Sequence, residues 1–188
     1  MHFYTFKLKM LDKLRKEAVD EVKFGYLKKK YPTRHTYLAT IRTNKPIIRT
    51  VILRDCINEI DPLFYTDTRS FKVEDLKQNK NASALFYHPK KLIQIRLDGQ
   101  LKLLKDDDLI KKHREKALSI SKKDYTSCFS PGKEINNPDE LDYIENDFFQ
   151  GIFLQVERIE YLKLKRPNHI RCEFNKKDNA WSNRFLAP

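Results

Sequence analysis

Hydrophobic residues near the start of the chain recur at helical spacing: Leu11, Leu14, Ala18 and Val22 lie three or four apart, with Lys and Glu between them. This period puts them on one face and predicts an amphipathic helix over about residues 9–24, packed on the rest of the fold. Farther along, the pattern turns strand-like. Residues 36–43 and 47–55 are separated by the turn-type break Asn44-Lys45-Pro46 and read as a β-hairpin. Short strands follow over 63–66 and 82–88, the second ending before Pro89, with a helix from Ser70 to Asn79 between them. Residues 92–105 read as one long strand bent at Gly99. Asp106-Asp107-Asp108 opens a further helix to Ala117, because first-turn carboxylates favour the helix dipole. Residues 119–142, with Pro131, Gly132, Asn136, Asn137 and Pro138, read as a long loop of the kind that often serves as a lid. Segments 152–163, 169–175 and 181–186 finish the sheet. About six or more short strands and few helices predict a mainly β fold, an antiparallel barrel with helical additions, as a single domain over 1–188.

Composition agrees. A chain of 188 residues with 40% hydrophobic content can bury one sizeable core, and its 12 Phe and 9 Tyr fall largely within strand-like runs, which excludes a wholly disordered chain. Lys7, Lys9 and Asp12 break up the apolar residues of the N-terminus, so neither a signal-peptide core nor a membrane span is expected, and a cytoplasmic protein is the default. Cys56, Cys128 and Cys172 are odd in number and widely spaced, which suits reduced thiols; no residue cluster has metal-ligand spacing. The net charge of +12 raises nucleic acid as a partner. Its distribution argues otherwise, since Lys28-Lys29-Lys30, Lys90-Lys91, Lys111-Lys112 and Lys176-Lys177 are scattered doublets and triplets of the kind that solvate a surface, with no reader motif.

Candidate chemistry concentrates between Arg49 and Lys72. Arg49 and Arg54 bracket the apolar run Val51, Ile52 and Leu53, and Phe64-Tyr65 leads into Thr66, Arg69, Ser70 and Lys72. Hydroxyl, guanidinium and ammonium donors within seven residues, beside a helix start at Ser70, suit a phosphate-bearing ligand. Arg49 and Arg54 have opposite strand parity, so they can serve one ligand only from a strand end or a bulge.

The ordered elements R-x-V-x-L-R, F-Y-T-D-x-R-S-x-K, Asn79 to Tyr87, Gln94 before the strand reaching Gly99, and the closing His169-Ile-Arg171, Trp181 and Arg184-Phe-Leu-Ala-Pro188 together resemble the pyridoxamine 5′-phosphate oxidase-like family of FMN-binding split barrels. The likeness covers most of 35–104 and 150–188. It implies FMN as cofactor, bound by Arg49, Thr50, Val51, Ile52, Leu53, Arg54, Tyr65, Thr66, Arg69, Ser70, Lys72, Gln94 and Arg171, with Arg54 and His169 toward the substrate. It also implies a small-molecule substrate and a homodimer with each FMN at the subunit interface. Several positions depart from the family. Phe71 stands where an Arg usually precedes the phosphate Lys, with Arg69 the candidate to supply that charge; Leu162 stands near a usual Trp; Pro167 replaces the first Arg of R-x-H-x-R, with Arg166 adjacent; and Arg54 replaces a Lys. The helix from Leu109 lacks the family's Tyr and spaced Arg. These departures point to a relative of the oxidase with a substrate of its own, leaving open genuine oxidation of pyridoxamine phosphate and a non-catalytic flavin-binding role. No catalytic residue is assigned.

Overall fold

The computed structural model describes residues 2–178 and 180–188. It opens with α1 (His2–Leu27), which buries Leu11, Leu14, Ala18, Val19 and Val22 against the main core. The periodic face is the predicted one. The helix runs beyond 9–24 at both ends because no proline interrupts it before Pro32. Strands β1 (His35–Arg42) and β2 (Lys45–Ile52) form the predicted hairpin, turned at Thr43 and Asn44, both in the left-handed region. Pro46 is tolerated because β2 lies at the end of the strand order. After β3 (Asp55–Ile57) and β4 (Asp61–Asp67) comes α2 (Phe71–Gln78), with Ser70 as its extended N-cap residue.

Strands β5 (Asn81–His88), β6 (Ile93–Leu103), β7 (Phe149–Lys163), β8 (Ile170–Lys177) and β9 (Ala180–Leu186) complete one antiparallel sheet of nine strands. Its main path is β2-β1-β5-β6-β7-β4-β3, and β8 and β9 extend from the second half of β7. The long β7 therefore belongs to two strand neighbourhoods: its first residues pair β4, its last pair β8, and β6 runs along its other edge. Leu38, Ala84, Leu97, Ile159 and Phe174 lie in successive cross-strand register and are all fully buried, forming a continuous inner row. The bend expected at Gly99 is a bulge: pairing skips from Asp98↔Arg158 to Gly99↔Val156. A Cβ at Gly99 would lie 2.0 Å from the Gln155 carbonyl oxygen, so the two backbones meet where only glycine fits.

Between β6 and β7 lie α3 (Asp107–Ser121) and the short α4 (Lys123–Thr126). Helix α3 is capped by the Asp106 carboxylate, which accepts from Leu109 N, and it outruns the predicted end at Ala117. Helical structure thus covers the opening of the segment read as loop from 119; beyond a 3-10 turn at Pro138–Glu140, the segment from Ser127 to Tyr143 is irregular apart from one bridge joining those two residues. No described helix is long and apolar enough to cross a membrane. Cys56 is half-buried, Cys128 exposed and Cys172 buried, all as free thiols.

Candidate cofactor site

Arg49, Thr50, Val51, Ile52, Arg54, Tyr65 and Lys72 line one cavity of about 230 Å³. The end of β2 supplies the first four, β4 supplies Tyr65, and the first turn of α2 supplies Lys72. The parity condition on the two arginines is met at a strand end. Arg49 lies within β2, whereas Arg54 follows Ile52, where the strand has stopped and the side-chain alternation with it. A larger cavity of about 810 Å³ lies elsewhere, lined by leucines such as Leu76, Leu101 and Leu104 and by lysines; none of the candidate residues lines it.

Lys72 donates to Thr66 Oγ1 at 2.9 Å, and that hydroxyl lies 2.8 Å from Ser70 Oγ. Thr66 and Ser70 are buried beneath the ammonium and direct it. Burial pushes Lys72 below its ordinary value, and the Arg49 charge pushes it further. Arg49 is lowered by burial and by Arg42, against the opposing pull of Asp75. Arg54 stacks over the Tyr65 ring at 5.0 Å, and burial pushes the Tyr65 phenol up to about 12.

Asp75 and His113 belong to this neighbourhood although neither stood out in the sequence. Asp75, on the buried face of α2, accepts from Thr40 at 2.9 Å and from Arg42 at 2.7 Å, and lies 3.4 Å from Arg49. Burial alone would raise its carboxyl, but the hydrogen bonds from Arg42 and Thr40 and the two positive charges outweigh it and hold Asp75 below the usual range. His113, on the buried face of α3, places Nδ1 2.7 Å from the Tyr65 hydroxyl. A helical Asp and a helical His read alone as solvated or structural residues; only the packing of α2 and α3 on the sheet exposes their partners.

Arg69, Leu53, Gln94, Arg171 and His169 do not line this cavity of the single chain. Arg69 does not face the cavity as the missing phosphate charge: it grips the Asp67 carboxylate through Nε and Nη2, donates to the Ser127 and Phe129 carbonyls, and stacks 3.3 Å over Phe148. It ties the 127–129 loop to β4. Leu53 buries its side chain in the main core instead of lining the cavity. Gln94 and Arg171 are likewise absent from the cavity wall. Both lie on another cross-strand row, Tyr87, Gln94, Leu162, Arg171 and Leu186. At the usual strand spacing, Gln94 on β6 is about 14 Å and Arg171 on β8 about 24 Å from β2 along the sheet. Arg171 donates to Glu160 at 3.2 Å while its Nε is buried without a hydrogen-bond partner. His169 is exposed and accepts at Nδ1 from Lys165 N, likewise apart from the cavity.

The family model described as pyridoxamine 5′-phosphate oxidase, FMN-binding domain, matches residues 12–105. The pyridoxine/pyridoxamine 5′-phosphate oxidase of Leptospira biflexa is 28% identical over 174 residues, 80% of this chain and 77% of that protein. The protein of the same name from Psychrobacter cryohalolentis is 28% identical over 162 residues, 77% of this chain and 74% of its own. Among solved structures, a pyridoxamine 5′-phosphate oxidase-related, FMN binding protein from Nostoc punctiforme aligns with a TM-score of 0.69 at 23% identity, covering 92% of this chain and 96% of that one. PhzG from Burkholderia lata aligns with a TM-score of 0.70 at 19% identity over 84% and 83% of the two chains. These two structural likenesses speak for the fold alone.

Proposed function

The chain belongs to the family of pyridoxamine 5′-phosphate oxidase FMN-binding domains, and from that premise we propose that it is an FMN-dependent oxidoreductase of a small substrate, holding the flavin phosphate between Arg49 and Lys72. The observation that carries this reading is a pair of like charges in one cavity. Lys72 and Arg49 are both depressed by burial, and Arg49 depresses Lys72 further. Asp67 is held by Arg69, and Asp75 is shared between Arg42 and Arg49, so Lys72 has no carboxylate of its own among the described ion pairs. An anionic phosphate would offset the remaining charge. Val51, Ile52 and the Tyr65 ring add an apolar wall beside the cations, so the donor set and the wall together fit a flavin mononucleotide.

FMN, when bound, supplies the redox chemistry of the site. The chain's own residues do the rest. Lys72, aimed by Thr66, and Arg49 bind the phosphate; Arg54, stacked on Tyr65, keeps a fixed positive charge at the wall; Val51 and Ile52 exclude water.

The cavity of about 230 Å³ falls below the roughly 300 Å³ at which small-molecule pockets usually begin. We take it as half of a site, completed in a homodimer by Gln94 and Arg171 of the second copy. The unpartnered Arg171 Nε supports this, as do Tyr37, Ile48 and Tyr87, which leave large apolar side chains exposed on neighbouring strands.

Oxidation of pyridoxamine 5′-phosphate is a second reading, favoured by the names of the curated relatives. Pro167 cannot provide the charge expected at its position, and Arg166 beside it is exposed. One lost charge-assisted contact costs about 1.5–3 kcal/mol, so this substrate should turn over poorly. Steady-state oxidation by the FMN-loaded protein, with Arg166→Ala alongside, decides between the readings. Slow turnover indifferent to the substitution supports a different substrate; efficient turnover that collapses in the variant establishes the second reading.

A further inference from the structure

We propose that His113, braced by Asp55, is a positioning residue for the flavin cavity, acting through Tyr65. The proposal rests on the cofactor reading above and adds a residue to it. His113 and Ala117 are four apart on α3 and both buried, so one face of that helix lies on the sheet. That face sets His113 Nδ1 at 2.7 Å from the Tyr65 hydroxyl. On the far side of the imidazole, Nε2 lies 3.7 Å from Asp55 Oδ2. A carboxylate there favours the proton on Nε2, which leaves Nδ1 as the acceptor of the Tyr65 O–H.

The chain of contacts ends on the cavity wall. Tyr65 lines it, and the Tyr65 ring is held edge-on by Phe149 at 5.0 Å and by His113 itself at 5.6 Å. Arg54, also on the wall, stacks on that ring. Tyr65 is therefore fixed by two ring edges and one hydrogen bond, and Arg54 rests on it while also reaching the Tyr125 side chain. Burial keeps His113 below the ordinary histidine range, against the pull of Asp55, which preserves the neutral acceptor form. Removing the acceptor frees the phenol to rotate and loosens Arg54 with it.

The test is FMN affinity at neutral pH, read by quenching of flavin fluorescence, for wild type, His113→Phe, His113→Gln, Tyr65→Phe and the double variant His113→Phe/Tyr65→Phe. Circular dichroism of each apoprotein checks folding. His113→Phe and Tyr65→Phe should each weaken FMN about three- to tenfold, the range of one hydrogen bond. The double variant should be no worse than the weaker-binding single variant, because both remove the same contact. Gln, which keeps an acceptor oxygen, should return affinity to within about twofold of wild type. Unchanged affinity in His113→Phe, losses that multiply in the double variant, or a Gln variant as weak as Phe would each overturn the proposal. If His113→Phe does not fold, the same decision comes from His113→Gln binding better than Tyr65→Phe or no better than it. Failure of the folded wild type to bind FMN would instead overturn the cofactor reading on which this one rests.

Discussion

Lys72 shows how one residue ties sequence to function. It was legible as a phosphate candidate from its place after Ser70, but its depressed ionisation comes from the burial and the Arg49 charge that only the fold brings together. The sign of the consequence follows. A bound phosphate would restore Lys72 toward its ordinary value of 10.5, so binding takes up a proton and FMN affinity falls as pH rises through the depressed value. Titrations from about pH 7 to about pH 10 should show the dissociation constant rising before an exposed lysine would titrate, and Lys72→Gln should flatten that rise. Asp75 offers a second test at this scale. Its folded value is lowered, so its contribution to stability is complete above the ordinary carboxylate range and is lost as pH falls through the lowered value. Asp75→Asn should cost about 1–3 kcal/mol at neutral pH, measured by urea unfolding, and the gap to wild type should narrow on acidification. Asp75 escaped the sequence reading because an acidic residue in a short helix has no visible partner until Thr40, Arg42 and Arg49 are brought across from the hairpin.

Elements were read where a local period or a strong breaker decided them. The face of α1, the existence of the hairpin, the cap at Ser70 and the bend at Gly99 all follow from neighbours in sequence, although the hairpin turns at Thr43 and Asn44, ahead of the expected break at 44–46, and takes Lys45 and Pro46 into β2. Boundaries set by packing were missed. Helix α3 runs on to Ser121, and α4 turns under β4, where Tyr125 packs with Phe149 and Tyr65 in a small second core. Arg69 misled for a related reason: its charge suited a phosphate, but the nearby Asp67 and the returning loop claim all of its hydrogen bonds that the structure describes. The bulge is the most exposed to test. Gly99→Ala pushes a methyl group against the Gln155 carbonyl in the two longest strands, and should destabilise by about 1–3 kcal/mol or more in denaturant melts. An unchanged midpoint would mean the strands are not pinned there.

At the scale of the whole molecule, the family, the mainly β fold and the FMN-binding class were legible because ordered motifs at both ends of the chain had to agree. The assembly of the site was legible only through the family resemblance, because Gln94 and Arg171 sit strands away from Arg49 and Lys72 within one chain. The proposed homodimer would join them, so sedimentation of the FMN-loaded protein at micromolar concentration should give twice the chain mass; a monomer would refute the shared site. The positive charge of the chain is spread over its surface, and the measurement that bears most directly on function concerns where that charge is concentrated. Calorimetric titration of the apoprotein with FMN and with riboflavin, for wild type and Lys72→Ala, isolates the phosphate. FMN should bind wild type more than about tenfold tighter than riboflavin, and Lys72→Ala should remove most of that preference while leaving riboflavin affinity nearly unchanged. Equal affinity for the two flavins, or a preference that survives Lys72→Ala intact, would contradict a phosphate site between Arg49 and Lys72.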